Sequence, residues 1–333
     1  MPKASTTMAG RGELNRAFRG AVRLLQTCAR AKREDRILIV TDSETDPAIA
    51  RTIMSAAMSL AMEACTITMT ARALPGQEPP EPVTAAMLVS DVVICPTSRT
   101  MYHTDARTAA CRRGARFISM AGATIAVLGS SAMFADFHKQ EGVLRKVVSR
   151  MTQAKNIRVM NPAGTRLEFS VRGRLAHGVP GFCKRPGDAT GVPDIEAYIA
   201  PVEETVNGVL MVDASTSVTG LVSEPIRVDI HHGMAVRIQG GREGLRLRRV
   251  LKQAGKRTAF QVGEFGIGLN PRASIRGAII EDEGVFGTAH IALGDNTRLG
   301  GTNRAPTHID LVLRQAEVDL DEQTLLKRKH LYL

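Results

Sequence analysis

The feature that most constrains the fold is a change in the pattern of apolar segments near residue 155. Before this point, short apolar runs such as residues 37–40 and 91–95 alternate with stretches of helical character. Strands that alternate with helices predict a parallel sheet covered on both faces. After it, runs rich in Val and Ile follow one another closely, with many glycines and prolines between them. This second pattern predicts an antiparallel or mixed sheet whose loops carry the function.

We therefore predict an α/β protein with two domains. Residues 1–155 are expected to form a doubly wound parallel-sheet domain, and residues 156–333 an α+β, sheet-rich, metal-binding domain. The length of 333 residues agrees with this division, because one domain commonly holds about 100–200 residues. Helices are expected from Asp46 to about Ala64, over residues 134–154 and over residues 243–254, the last interrupting the second run of strands.

The formal net charge of +11 first suggests a nucleic acid or another anionic surface as partner. The composition argues against single-stranded nucleic acid, since binding it relies on stacking platforms, and only 4% of the residues are aromatic, with no tryptophan. The basic residues also form no strong run. We interpret the surplus as a solvated, Arg-rich surface and predict no nucleic-acid partner.

The five cysteines show no Cys-x-x-Cys motif and no regular spacing, which favours a reducing compartment. The first 35 residues lack an apolar run typical of a signal peptide, and no segment approaches the roughly 18 apolar residues that span a bilayer. These features predict a cytoplasmic protein without a membrane partner.

Ionisable residues in apolar surroundings are concentrated late in the chain. Glu264 lies in a Gly-rich apolar segment, where a carboxylate is costly to bury unless it is paired or binds a cation. His290 follows within 26 residues, and His308 and Asp310 are spaced so that a strand would place both on one face. Two imidazoles and two carboxylates form a ligand set that suits Zn, Mn, Co or Fe.

Each of these residues also has a simpler explanation. A lone histidine in an apolar strand is more often a hydrogen-bonded core residue, and Glu264 could pair with one of the many arginines. Two other histidine positions are predicted to be exposed: His103 on a presumed helix, and the pair His231 and His232 at a hairpin turn. From the residues alone, the metal site and these simpler explanations both stay open.

Several segments of the second half resemble the aminopeptidase T family of leucyl aminopeptidase-like metallopeptidases. The resemblance covers residues 157–313 and rests on residues 164–174, 196–201, 205–213, 263–271, 290–294 and 308–310. In that family two glutamates, two histidines and an aspartate hold a pair of divalent metals. The resemblance implies two metals per chain, Zn, Mn or Co, and the following ligands: Glu196, Glu264, His290, His308 and Asp310.

The sequence departs from that family at one position and is similar to a second family elsewhere. The tyrosine that follows the His-x-Ala-Leu-Gly stretch in the peptidases has no match in residues 295–301. The Gly-Leu-Asn-Pro-Arg, Asn-Thr-x-x-Gly-Gly and His-Ile-Asp segments resemble 2,5-dihydroxypyridine dioxygenase, a non-haem iron relative of the same fold. There, His308 and Asp310 match iron ligands, whereas the position of Glu264 carries a histidine.

The leading hypothesis is a divalent-metal-dependent metallopeptidase of the aminopeptidase T type, a hydrolase that cleaves an amide or peptide-type bond in a small substrate with metal-activated water. Glu283 or Glu281 would transfer a proton, because both closely precede His290; a solvated acidic turn is the other explanation. Arg298 and Arg304 would clamp a carboxylate of an anionic small molecule or short peptide, although a surface role for each stays open. The family resemblance further implies a homodimer or other homo-oligomer.

The alternative hypothesis is a mononuclear Fe(II) dioxygenase. His290, His308 and Asp310 would form its facial triad, and the enzyme would open an electron-rich ring with O₂. A third hypothesis is a metal-stabilised binding module without chemistry.

Overall fold

The alternation of strands and helices in the first half predicts a parallel sheet, and the computed structural model, which describes residues 10–333, contains one. The α-helices of these residues are α1 Arg11–Arg23, α2 Pro47–Ser59, α3 Glu81–Leu88, α4 Asp105–Arg112, α5 Ile125–Leu128, α6 Phe137–Gln153, α7 Arg242–Gln253 and α8 Ile279–Asp282. The first eight strands in chain order are β1 Ile37–Asp42, β2 Ala64–Met69, β3 Val92–Cys95, β4 Arg116–Ser119, β5 Asn156–Met160, β6 Arg166–Ser170, β7 His177–Val179 and β8 Ala189–Gly191. Of these, β5, β6 and β7 belong to the antiparallel sheets.

The remaining strands belong to the two antiparallel sheets. They are β9 Glu196–Ile199, β10 Asn207–Val212, β11 Ser215–Thr216, β12 Gly220–Leu221, β13 Ile226–His231, β14 Met234–Gln239, β15 Val262–Gly268, β16 Ala289–Gly294, β17 His308–Leu313, β18 Glu317–Leu320, β19 Gln323–Lys327 and β20 His330–Leu331.

The parallel sheet has the strand order β2-β1-β3-β4-β8, and helices cover both of its faces. Successive side chains of β1 explain this arrangement, because they point to opposite faces. Ile37 and Ile39 pack with α1 and α2, whereas Leu38 and Val40 pack with α3 and α4. All four are buried, so the strand reads as one continuous apolar run, as is typical of a strand covered on both faces. The prediction of a doubly wound α/β half is confirmed.

Helix α2 begins where the sequence predicts and ends earlier. Asp46 caps the helix by accepting a hydrogen bond from the Ala48 amide, and proline occupies the first helical position. The chain turns at Ala61, whose φ of 53° lies in the left-handed region that ends many helices. Strand β2 then starts at Ala64, which the sequence had placed at the end of the helix.

The second half forms two antiparallel sheets, as the dense Val- and Ile-rich runs predict. One has eight strands in the order β14-β13-β10-β6-β5-β18-β19-β20, and the other has seven in the order β12-β11-β17-β16-β15-β9-β7. Their inner faces share a core, in which the rings of Phe169 and Phe265 lie 5.4 Å apart. Helix α7 packs on β13 and β14 through Leu247 and Leu251. The predicted sheet-rich architecture is confirmed.

The predicted division at residue 155 stays a prediction. Strand β8, which follows that boundary by more than thirty residues, pairs in parallel with β4. One hydrophobic core also extends from α1 to the last antiparallel strands. Within the described part of the chain, no helix is both long and apolar enough to cross a membrane.

Candidate metal centre

The predicted metal ligands lie on four neighbouring strands of the seven-stranded sheet. Antiparallel pairing places Glu196 opposite Gly268, His290 opposite Gly266, and Asp310 opposite Ala292. The sheet therefore brings together residues that are far apart in the sequence. The members of this cluster are Glu196 on β9, Glu264 on β15, His290 on β16, and His308 and Asp310 on β17.

The ring of His290 has room only because its neighbour on β15 is a glycine. A Cβ at Gly266 would lie 2.1 Å from Cε1 and 2.2 Å from Nε2 of His290. Real side chains do not approach so closely, so any larger residue at position 266 would push the ring out of place. Within the Gly-rich segment around Glu264, Gly266 thus leaves the space in which the imidazole of His290 packs against the strand.

His308 is oriented as metal-binding histidines commonly are. Its Nδ1 lies 2.8 Å from the backbone oxygen of Asp295, so this nitrogen donates a hydrogen bond to the carbonyl. A hydrogen bond of this kind occupies Nδ1, so Nε2 is the nitrogen that can bind a metal once it has lost its proton. That atom lies 3.3 Å from Asp310 Oδ1 and 3.3 Å from Glu264 Oε2. His308 therefore presents an available nitrogen next to two carboxylate oxygens, and it shares one face of β17 with Asp310, as their spacing predicts.

Glu264 lies between the two imidazoles. One of its oxygens faces His308, and the other lies 3.2 Å from Nε2 of His290. The same nitrogen of His290 is 3.4 Å from Glu196 Oε2. Glu264 thus contacts two histidines, and the simpler explanation of an arginine partner does not describe the structure.

The close contacts shift the protonation of this cluster. Burial raises the pKa of Glu264, but hydrogen bonds with His290 and His308 outweigh it and hold the pKa below its ordinary value. Burial lowers the pKa of His290, but the charges of Glu196 and Glu264 prevail and raise it to about 9. Burial raises the pKa of Glu196 to about 7, against the opposing effect of His290. When no cation is bound, the protonated imidazole of His290 therefore offsets the negative charge of Glu264.

The donor set fits a divalent cation. Ligand atoms of Glu196, Glu264 and His290 all lie within 4.8 Å of one another. Glu196 Oε2 and Nδ1 of His290 are buried and have no hydrogen-bond partner among residues 10–333. Imidazole nitrogens together with carboxylate oxygens suit Fe, Mn, Co or Zn. The arrangement can hold a metal, and the assignment of these five residues as its ligands stays a proposal.

A cavity of about 180 Å³ opens beside this cluster, and we call it the inner cavity. One wall carries Glu264, His308 and Asp310, and the opposite wall is formed by residues that follow the parallel strands, such as Ser98 and Ala121. Ligands of open α/β sheets commonly bind beyond the carboxyl ends of the strands. The inner cavity therefore lies where the parallel sheet and the antiparallel sheet meet, at the position expected for a substrate.

The structure places His103 in this cavity, contrary to the prediction that it is exposed on a helix. The residue lies in the loop before α4, and its ring centroid is 5.4 Å from that of His308. Burial and the charge of His308 lower the pKa of His103 to about 4, which keeps the ring neutral. No local sequence signal marked this residue, because the parallel sheet brings it to the site. His231 and His232 are exposed at a hairpin, as predicted.

A second, larger cavity adjoins the first, and we call it the outer chamber. Its volume is about 460 Å³, and it shares His103 and His308 with the inner cavity. Arg298 and Arg304, the predicted substrate-binding residues, both line this chamber. Arg298 contacts Asp105 at 2.7 Å, whereas Arg304 is exposed and has no ionic partner in the described part of the chain.

The two predicted proton-transfer residues occupy different environments. Glu283 lines the inner cavity. Glu281 accepts hydrogen bonds from the Ser274 amide and from Arg276, and it is not part of the cavity wall. Of the two predicted residues, only Glu283 therefore borders the cavity in which proton transfer would take place.

This fold and donor set define a candidate metalloenzyme with a small cavity beside its candidate metal centre. The chain belongs to the NicX family, described as 2,5-dihydroxypyridine 5,6-dioxygenase, which matches residues 16–332. A curated relative is the 2,5-dihydroxypyridine 5,6-dioxygenase of Pseudomonas putida KT2440, 25% identical over 197 residues. This alignment covers 55% of the chain and 56% of the relative, so it spans about half the length of both.

Two solved structures share the fold. The first is a 2,5-dihydroxypyridine dioxygenase from Pseudomonas putida KT2440, with a TM-score of 0.76, 19% identity and coverage of 97% of this chain and 98% of that one. The second is AmpT from Thermus thermophilus, with a TM-score of 0.69, 15% identity and coverage of 96% and 99%. At these identities the comparisons establish a common architecture.

The family match overturns the leading sequence hypothesis. The prediction of a hydrolase of the aminopeptidase and metallopeptidase type is wrong, because the family and the curated relative are dioxygenases. The identity of the metal, predicted as Zn, Mn or Co, stays a prediction. The resemblance to aminopeptidase T is confirmed for the fold alone. The physical reason is that the two solved structures share one fold, and neither a fold nor a set of donor types determines the reaction.

Proposed function

We propose that this chain is an Fe(II)-dependent dioxygenase that opens the ring of a small hydroxylated heteroaromatic compound of the 2,5-dihydroxypyridine class. The observation that carries the proposal is the setting of His308. Its Nε2 is directed toward Asp310 and Glu264, and it borders the inner cavity. Family membership supports ring-opening dioxygenation as the reaction at this centre.

The volume of the inner cavity supports a substrate of one ring. Drug-sized ligands occupy pockets of about 300–1,000 Å³. The inner cavity, at about 180 Å³, is smaller than this range. Tyr102 and Tyr198 contribute aromatic surface to its lining, and the Tyr102 hydroxyl donates a hydrogen bond to the Ala189 carbonyl. A flat ring packed against such side chains would turn the same edge toward His308 and His103, whose ring centroids lie 5.4 Å apart.

His308 and Asp310, together with Glu264 and His290, would hold the metal. Fe(II), when bound, would supply the redox chemistry that allows O₂ to combine with an organic ring. One metal at His308 is sufficient for this reaction. The two metals per chain and the homo-oligomer implied by the sequence resemblance stay predictions.

We assign proton transfer to His103. With its pKa lowered to about 4, the imidazole at the cavity wall is neutral but a weak base, so it would accept a proton at a ring nitrogen only from a substrate hydroxyl that the site makes more acidic; such transfer contributes about 10²–10⁴-fold to rate. Loss of that proton makes the ring more electron-rich and therefore more reactive toward O₂. The same role stays a prediction for Glu283, which also reaches the cavity, whereas Glu281 does not line it.

The outer chamber supports an anionic substrate. Arg298 is held by Asp105 and Thr108, and Arg304 is free to meet an anion that passes toward His308. A hydroxylated ring that has lost a proton, or that carries a carboxylate, would be attracted by these guanidinium groups.

The proposed reaction balances without an added reductant. Both atoms of O₂ enter the product while one carbon–carbon bond of the ring breaks, so the substrate itself supplies the electrons. The proton removed from the hydroxyl can return to the opened product.

The test is O₂ uptake by protein loaded anaerobically with Fe(II) and then mixed with 2,5-dihydroxypyridine. We expect one O₂ consumed for each ring lost, measured with an oxygen electrode and by the fall in ring absorbance. The variant His308→Ala, checked for folding by circular dichroism, should show no uptake. Absence of uptake by the Fe(II)-loaded protein across a panel of hydroxylated pyridines and benzenes would refute the proposal.

A further inference from the structure

Three carboxylates converge on the wall of the inner cavity next to the histidine-containing cluster. One oxygen each from Asp194, Glu196 and Glu283 lies within 4.8 Å of the others. Asp194 comes from the segment between β8 and β9, Glu196 is the first residue of β9, and Glu283 directly follows α8. Three separate elements therefore contribute one acid each to the same point.

Charge compensation is missing at this point. Asp194 is 2% exposed and Glu196 7% exposed, and burying ionised carboxylates is costly unless they are paired. Among residues 10–333, no lysine or arginine pairs with Asp194 or Glu283, and no amide or hydroxyl donates a hydrogen bond to either carboxylate. Asp194 Oδ1 and Glu196 Oε2 are both buried without a hydrogen-bond partner. Within the described part of the chain, His290, whose Nε2 lies 3.4 Å from Glu196 Oε2, is the one basic group that pairs with a member of this trio.

The surrounding backbone fixes the three carboxylates in place. At the end of β15, the Leu269 amide donates a hydrogen bond to the Ile195 carbonyl, and the Asn270 amide donates one to the Gly284 carbonyl, each at 2.7 Å. A Cβ at Gly284 would lie 2.4 Å from Asp194 Oδ1, so the chain passes directly against this carboxylate. The segments that carry the acids are thus joined to one strand end, which leaves little freedom for them to separate.

We propose that Asp194, Glu196 and Glu283 bind a hard divalent cation, Mg²⁺ or Mn²⁺, at a second position that adjoins the centre at His308. In this proposal Glu196 belongs to the second position, and the first position keeps Glu264, His290, His308 and Asp310. All three side chains offer oxygen, the donor that Mg²⁺ and Mn²⁺ prefer, whereas the imidazoles next to them suit iron. A cation there would compensate the buried negative charge and fill the position toward which the unpartnered oxygens point. The inference goes beyond the proposed function, which needs only the metal at His308.

The experiment uses Mn²⁺ as its probe. The full chain is freed of metal with a chelator, Mn²⁺ is added, and bound equivalents are counted from the electron paramagnetic resonance signal of free Mn²⁺. We expect two Mn²⁺ per wild-type chain and one per chain of the double variant Asp194→Asn/Glu283→Gln. His308→Ala should also retain one. Millimolar Mg²⁺ should displace Mn²⁺ from the carboxylate site in His308→Ala.

A matched control removes a nearby buried carboxylate that lies off the cavity wall. Glu281→Gln changes the same segment and the same charge as Glu283→Gln, and it should keep two Mn²⁺ per chain. Should the double variant fail to fold, Glu283→Gln alone, at a half-buried position, is expected to weaken the second equivalent at least tenfold. The inference is overturned when the folded double variant binds as much Mn²⁺ as the wild type, because the carboxylates then share protons instead.

Oxygen uptake with Fe(II), recorded on the same proteins, separates the two proposals. Two bound Mn²⁺ without any uptake would refute the dioxygenase alone. Uptake by a wild-type chain that binds a single Mn²⁺ would refute the carboxylate site alone.

Discussion

Replacing Gly266 by alanine tests whether the glycine-rich strand β15 exists to seat His290. The added methyl group would lie 2.1 Å from Cε1 of the ring, about 1.3 Å short of the 3.4 Å at which ordinary contact begins. Position 266 is paired on both sides, with Tyr198 and with His290 itself, so the backbone cannot retreat. The ring must move instead.

The size of the effect follows from the tolerance of metal ligands. Nitrogen–metal distances vary by about 0.2 Å, so a displacement near 1.3 Å removes His290 from any shared centre. Losing the support of a ligand commonly lowers metal affinity about 10–100-fold. Forcing a methyl group into a packed site also costs about 1–3 kcal/mol of folding free energy.

The assay combines metal titration with thermal unfolding in Gly266→Ala and a glycine control. Gly142→Ala is the control, since its Cβ would meet nothing within 4 Å and alanine favours a helix. The stability cost of Gly266→Ala should largely vanish when His290→Ala removes the ring, as a double-mutant cycle would show. Wild-type metal affinity in Gly266→Ala, or an equal cost in both backgrounds, would refute the argument.

Three further predictions follow from the site. His103→Asn should lower kcat for ring opening about 10²–10⁴-fold while metal content, measured by elemental analysis, is unchanged; an equal loss of metal would contradict a role in proton transfer. Arg304→Met should raise KM for an anionic substrate at low ionic strength, and Arg298→Met should raise it further because its guanidinium is held in place, with both effects fading at about 1 M salt; salt-independent kinetics would exclude the attraction. Metal binding near pH 7 should release protons into a weakly buffered solution, because His290, with its pKa raised to about 9, is protonated in the metal-free protein. Metal affinity should therefore rise as the pH approaches 9. The stability that protonated His290 gives the metal-free protein through Glu196 and Glu264 is fully present below about pH 6.5 and is lost as the pH rises through 9. Metal binding without proton release would contradict this assignment.

Four members of the candidate metal cluster could be proposed from the residues alone, in part because strand geometry is local, whereas Glu196 was implied only by the family resemblance. The spacing of His308 and Asp310 places them on one face whatever the rest of the fold does. The apolar, Gly-rich segment around Glu264 also signalled a buried acid that needs a partner. Which partners it contacts, two histidines rather than an arginine, depends on strand order, and the residues alone left this open.

Other parts of the site depend on long-range pairing that no local pattern reveals. Asp194 lies in a loop whose shape the sequence does not specify, and His103 reaches the cavity because β3 and β4 stand next to each other in the parallel sheet. Strand β8 is three residues long and joins that sheet from a distant part of the chain. The sequence also predicted hydrolysis instead of dioxygenation, because one fold can support more than one reaction.

The short connection between β8 and β9 has a mechanical consequence. Residues 192–195 carry the chain from the parallel sheet to the seven-stranded sheet, and hydrogen bonds to Val192, Pro193 and Ile195 hold this connection at both ends. A rotation that opened one sheet away from the other would pull directly on the strand that bears Glu196. The two walls of the inner cavity are therefore expected to move as one piece. In the proposed reaction, substrate exchange would then depend on side chains and loops around the outer chamber, and the candidate metal centre would keep its geometry.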